Sequence, residues 1–184
     1  MICRPLALLV VAAAMLAAAP PPSAAPVLRI YCHMGECSWS RAVSNQVVRT
    51  TRDGTLRKYV AFNGSSEHPD GFPDRWSPSV RIKWGKKPDT DYVFCSRRQP
   101  ALAFRDDKPG HWIAHALDLF DLAGYNTASA VIYLRACHAL DLNARDIEKR
   151  LRVLGYRAGT RSEQVEIRSP EQLAALPPAR RRVR

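Results

Sequence analysis

Acid is scarce in this chain. Its 184 residues hold 17 Asp and Glu against 28 Lys and Arg, a formal net charge of +11. The spaced signatures of catalysis are missing too. There is no nucleophile elbow, phosphate-cradling loop, dinucleotide fingerprint or serine–lysine pair. No RRM, helix-turn-helix or zinc-finger pattern accompanies the basic charge, so it does not imply nucleic acid. Methionine is rare: beyond the N-terminal apolar run only Met34 remains, which rules out a methionine-rich metal cluster. No internal repeat occurs, and no stretch after Ala19 is apolar enough to span a bilayer.

What is present begins with an address. Arg4 precedes the apolar run Leu6–Ala19, which Pro20, Pro21 and Pro22 stop before the small residues Ser23, Ala24 and Ala25. The run suits a signal peptide and falls short of the ~20 residues a bilayer needs. Residues 1–25 are therefore expected to be a cleaved bacterial Sec signal, with a retained anchor as the alternative. The mature chain is expected to be periplasmic or secreted, without a stable transmembrane anchor. Residues 26–176 read as a single domain, and 177–184, with Arg180, Arg181, Arg182 and Arg184, as a disordered basic tail.

Export sets how the cysteines are read. Cys3 leaves with the signal. Cys32, Cys37, Cys95 and Cys137 remain, an even number in an oxidising compartment. Cys32–Cys37 would close a tight loop through Gly35, and Cys95–Cys137 would tie distant segments. Spacing alone leaves the two crossed pairings open.

Short β-branched or aromatic runs separated by turn residues dominate the first two thirds. Strands are predicted at Val27–Tyr31, Val80–Trp84, Tyr92–Ser96, Pro100–Arg105 and His111–Leu117. "VVRTTRDGTLRKYVAF" predicts a hairpin about a type I′ turn at Asp53-Gly54. Asn63–Pro78 reads as a loop. Thr127–Ala139 and Asn143–Leu154 are predicted helices, the second capped by Asn143 and ended by Gly155. A strand is expected over Gln164–Arg168. Ser169-Pro170-Glu171-Gln172 opens a short helix to Leu176. The predicted fold class is α+β: a β-rich antiparallel sheet or sandwich of about 6–7 short strands with two or three C-terminal helices, stabilised by disulfides.

Three clusters could carry chemistry. "YCHMGECSWS" offers soft copper ligands in Cys32, His33, Met34 and Cys37, but thiolates do not persist in an oxidising compartment, so a disulfide-closed corner is expected. His111 and His115 share a face at a separation of four, with Asp118 nearby, and could hold a metal for hydrolysis if a third ligand such as His138 approached. The loop "EHPDGFPDRW" carries His68, Phe72, Arg75 and Trp76. Its exposed aromatics beside charge suit a contact patch, unless both rings fold back to cap the sheet. The leading expectation is a non-catalytic binding or inhibitor-like module for an envelope glycan, an anionic surface or a protein, with no cofactor. A metal-dependent hydrolase and a copper-handling protein are the rivals.

Overall fold

The computed structural model describes residues 26–176 apart from positions 107, 109, 123–125, 143–144 and 161. The expected signal peptide, the basic tail and the Asn143 cap therefore lie outside the described residues. The architecture is α+β: an eight-stranded antiparallel sheet with few short helices, braced by two disulfides. The strands are β1 (Val27–His33), β2 (Glu36–Thr51), β3 (Gly54–Glu67), β4 (Lys83–Trp84), β5 (Asp89–Cys95), β6 (Ala101–Arg105), β7 (Trp112–Ala116) and β8 (Glu163–Ile167). Helices α1 (Asn126–His138) and α2 (Ile147–Val153) lie between β7 and β8, and a 3-10 turn over Pro170–Ala175 follows β8. The strands meander in the order β1-β2-β3-β5-β6-β7-β8, with β4 paired to β3 off that path. No described helix is long and apolar enough to cross a membrane.

Period-two alternation divides the core between the two faces of the sheet. Tyr59, Val93 and Leu102 point to one face, where Ala130, Tyr133 and Leu134 of α1 and Leu151 of α2 cover them. Leu56, Phe94, Ala103 and Trp112 point to the other, where Leu173 of the 3-10 turn closes over them. That turn buries Pro170 and Leu173. Its entry is held by Gln172, whose Oε1 accepts from the backbone N–H of Ser169 at 3.2 Å. Glu171 and Gln172 themselves stay exposed.

The cysteines pair as Cys32–Cys37 and Cys95–Cys137. The first bridges directly opposed residues of β1 and β2, and the second fastens the end of α1 to the end of β5. Both sulfurs of the stretch "YCHMGECSWS" are thus bonded to each other, which removes the thiolates that a copper site there would need.

The turns correct the sequence reading. The β2–β3 loop is Arg52-Asp53, with Thr51 paired to Gly54. Neither Asp53 nor Gly54 has a positive φ, so the expected type I′ turn is not there. Thr51 takes over its work, its Oγ1 donating to the Gly54 carbonyl at 3.0 Å and accepting from the Asp53 N–H at 3.3 Å. The chain's hairpin with two positive φ values lies instead between β1 and β2, at Met34 (49°) and Gly35 (80°). Gly54 is needed for closeness: a Cβ there would lie 2.7 Å from the Cys95 carbonyl oxygen and 2.9 Å from the Phe94 ring. Gly54→Ala should therefore cost about 1–3 kcal/mol in chemical denaturation, as overpacking does. A variant as stable as the native protein would mean that the hairpin end can retreat from β5.

Several elements differ in length from expectation; the strand expected over Val80–Trp84 is confined to Lys83–Trp84. Asn63–Glu67, read as loop, continues β3 and pairs with β2 from Glu36 to Ser40, so β2 and β3 run to 16 and 14 residues. Backbone pairing holds this polar stretch in the sheet, and Gly64 admits Ile82 and the Lys83 carbonyl within 2.8 Å of where a Cβ would stand. Helix α2 begins at Ile147 behind Asp146, whose left-handed φ of 59° interrupts any helix running from Asn143.

Candidate functional site: a groove beside α1

The metal candidates are separated by the sheet itself. His111 is exposed in the β6–β7 connection, whereas His115 is fully buried on β7. Four residues of extended chain place them roughly 13 Å apart, well beyond what one metal ion can bridge. His115 Nδ1 lies 2.9 Å from Ser129 Oγ and its Nε2 lies 3.1 Å from Ser162 Oγ. Ser162 in turn donates to Asn126 Oδ1 at 3.1 Å, so it accepts from a protonated Nε2. Burial lowers the pKa of His115 and a hydrogen bond to Asn126 partly offsets it. The ring therefore joins β7 to the start of α1 as a neutral imidazole. Asp118 does not orient it: its carboxylate accepts from the backbone N–H groups of Phe120 and Gly159, each at 3.0 Å. His138, the suggested third ligand, points elsewhere, and among the described residues no group of three or more His, Cys, Asp or Glu could hold a metal ion.

His138 instead ends a chain of hydrogen bonds beneath the Cys95–Cys137 bridge. Its Nε2 lies 2.6 Å from the Tyr156 hydroxyl, which lies 2.9 Å from that of Tyr133. Tyr133 donates to the Ser96 carbonyl at 3.1 Å. A carbonyl can only accept, so the donors run His138, Tyr156, Tyr133, and the imidazole carries its proton on Nε2. Burial raises the Tyr133 pKa well above its ordinary value and, with Arg97, lowers that of His138, so this chain is neutral at pH 7.

The aromatic loop is anchored at its base. The His68 N–H donates to the Gly35 carbonyl at 2.6 Å, and the His68 ring meets Ser66 Oγ at 2.7 Å. The same hydroxyl accepts from the indole of fully buried Trp39 at 2.6 Å. Arg29 of β1 donates to the Pro73 carbonyl at 2.5 Å and approaches Asp74 at 4.0 Å. Arg75 and Trp76 remain at the surface. Phe72, also exposed, turns toward α1 and lines a hollow of about 260 Å³ with Arg29, Ile30, Tyr31, Thr127 and Val131. Neither Trp76 nor His111 lines it, so the loop's two aromatics do not act as one patch there.

A larger hollow of about 630 Å³ opens on the other side of Ile30. Ala128 and Ile132 of α1 line it, with Ser38, Asn63, Ser65, Lys83 and Trp84 opposite. Ile30 belongs to both hollows, and their α1 residues alternate along one helix, Thr127 and Val131 in one, Ala128 and Ile132 in the other. These two neighbouring hollows, called the groove below, carry one aromatic ring each, Phe72 in the smaller and Trp84 in the larger. Arg41 caps Trp84, its guanidinium 5.0 Å from the ring centroid, and sits 5.7 Å from Phe62. Sequence reading missed the groove because its walls come from β1, β3, β4 and α1. Phe72 was named from sequence as a contact residue, whereas Trp84 was read only as a strand residue.

A third hollow, of about 400 Å³, holds Asp89 and Asp91 two residues apart on β5, with Asn63, Thr90 and Phe104. Asn63 donates to Asp89 Oδ2 at 2.8 Å. Burial, and secondarily the Asp89 carboxylate, push the Asp91 pKa up to about 7.

Comparison with known protein families, curated proteins and solved structures returns no match.

Proposed function

We propose that this is an exported, non-catalytic binding protein whose groove beside α1 holds an acidic glycan of the cell envelope. The observation that carries the reading is the composition of the groove. Phe72 and Trp84 supply flat apolar surfaces for sugar rings, Ser38, Asn63 and Ser65 supply hydroxyl and amide partners, and Arg29 and Lys83 supply positive charge. Two disulfides fit an oxidising compartment, and the apolar run ahead of residue 26 supplies the address.

Titration calorimetry with short acidic glycan fragments tests this. Trp84→Ala should weaken binding about tenfold or more, because a lost stacking surface is worth about 1–2 kcal/mol. Lys83→Glu should weaken it further and flatten its salt dependence. Binding untouched by both changes would reject the groove as the site.

A further inference from the structure

We infer that the outer edge of β2 from Val43 to Thr51 is a docking rail for an extended acidic segment of a protein partner, which joins the sheet as an additional strand. This surface is separate from the groove and does not depend on it.

Among the described residues the meander leaves this edge unpaired. β1 pairs with β2 only as far as Val27 opposite Arg41, while β2 runs on to Thr51 along β3. The ladder ends for a chemical reason, since Pro26 would be the next partner and has no N–H to donate. Among the described residues no strand pairs with the outer edge of the following ten positions. Alternate backbone groups of such an edge point outward and can pair with an incoming chain, although the Asn45 carbonyl already accepts from Arg57 at 3.2 Å.

The side chains argue for a protein strand. Val43, Val47 and Val48 are 56%, 56% and 47% exposed, three large apolar residues within six positions of one edge. Val43 and Val48 are the extra residues at the two register shifts of β2 against β3. Such bulges add twist, which discourages flat stacking yet admits a single chain that follows the twist.

Charge selects the partner. Arg49 and Arg52 lie on or beside this edge, with Lys58 on the adjoining strand. None of these three cations makes a salt bridge among the described residues. A second copy docking through the same edge would bring like charges together, whereas glutamates alternating with apolar residues would meet both the arginines and the valines.

The test is amide hydrogen exchange on the purified protein with a ten-residue peptide alternating valine and glutamate. Two control peptides carry lysine for glutamate, or N-methyl groups on alternate residues so that strand pairing is blocked. The acidic peptide should slow exchange at alternate amides between Val43 and Thr51, and neither control should. The double change Arg49→Glu, Arg52→Glu should weaken its binding about tenfold, these positions being exposed and away from the core. The inference is overturned if the N-methylated peptide binds equally well, if protection falls outside this edge, if no peptide binds at millimolar concentration, or if the protein alone protects the edge with rising concentration, as self-pairing would require.

Discussion

Asp91→Asn should stabilise the protein at pH 8 and leave its stability at pH 3 nearly unchanged. The folded pKa of Asp91, about 7, lies above the 3.8 of the free side chain. Between those values the folded state holds a proton that the unfolded chain has released. Stability therefore falls as pH rises through this window, and the whole penalty is present above pH 7. Below pH 3.8 the carboxyl is protonated in both states and asparagine relieves nothing. A shift of this size corresponds to about 4 kcal/mol, and partial solvent access reduces the expected gain to about 2 kcal/mol. Urea unfolding at pH 3, 5 and 8 reads it. A gain of equal size at all three, or a loss at pH 8, would show that Asp91 is not strained by ionisation. A carboxylate kept on the sheet against its own solvation marks the hollow it shares with Asp89 as a place where protonation alters the protein near neutral pH.

The two disulfides should contribute unequally. Replacing Cys95 and Cys137 by serine should cost about 4 kcal/mol and replacing Cys32 and Cys37 about 2 kcal/mol, on the loop-entropy scale for separations of 42 and 5 residues. Packing points the same way. The longer bridge holds α1 on β5 beside the Ser96–Tyr133–Tyr156–His138 chain, whereas the shorter one spans a hairpin that backbone pairing already closes. Denaturant midpoints of the two double variants decide the matter. A larger loss from the hairpin pair would mean that the corner organises the sheet and that α1 docks well without its fastening.

Much of the fold was legible because its signals are local. Turn residues between short β-branched or aromatic runs located β5, β6 and β7, whereas the strand read over Val80–Trp84 keeps only Lys83–Trp84. Counting sulfurs gave an even number but left the crossed pairings open, and the structure pairs Cys32 with Cys37 and Cys95 with Cys137. The failures were equally physical. Asp-Gly at 53–54 carries the strongest turn signal in the chain, yet Gly54 is used for its missing Cβ and not for a positive φ. Met34 adopts that φ without any sequence cue, because the bridge and the ladder on either side of it fix the turn. Asn63–Glu67 looks like loop by composition and is strand by pairing. The groove was harder still, since Ile30, Trp84 and Ile132 meet only after the sheet has formed. The candidate histidines looked adjacent because a spacing of four serves either periodicity. Only the fold reveals that one faces water and the other is enclosed.

The short hairpin bond also bears on the order in which the thiols oxidise. Loop closure is fastest and least costly in entropy for near neighbours, and Cys32 and Cys37 are five positions apart. Early closure of this bond leaves Cys95 and Cys137 as the described cysteines still to pair, so the order of closure itself favours the observed connectivity.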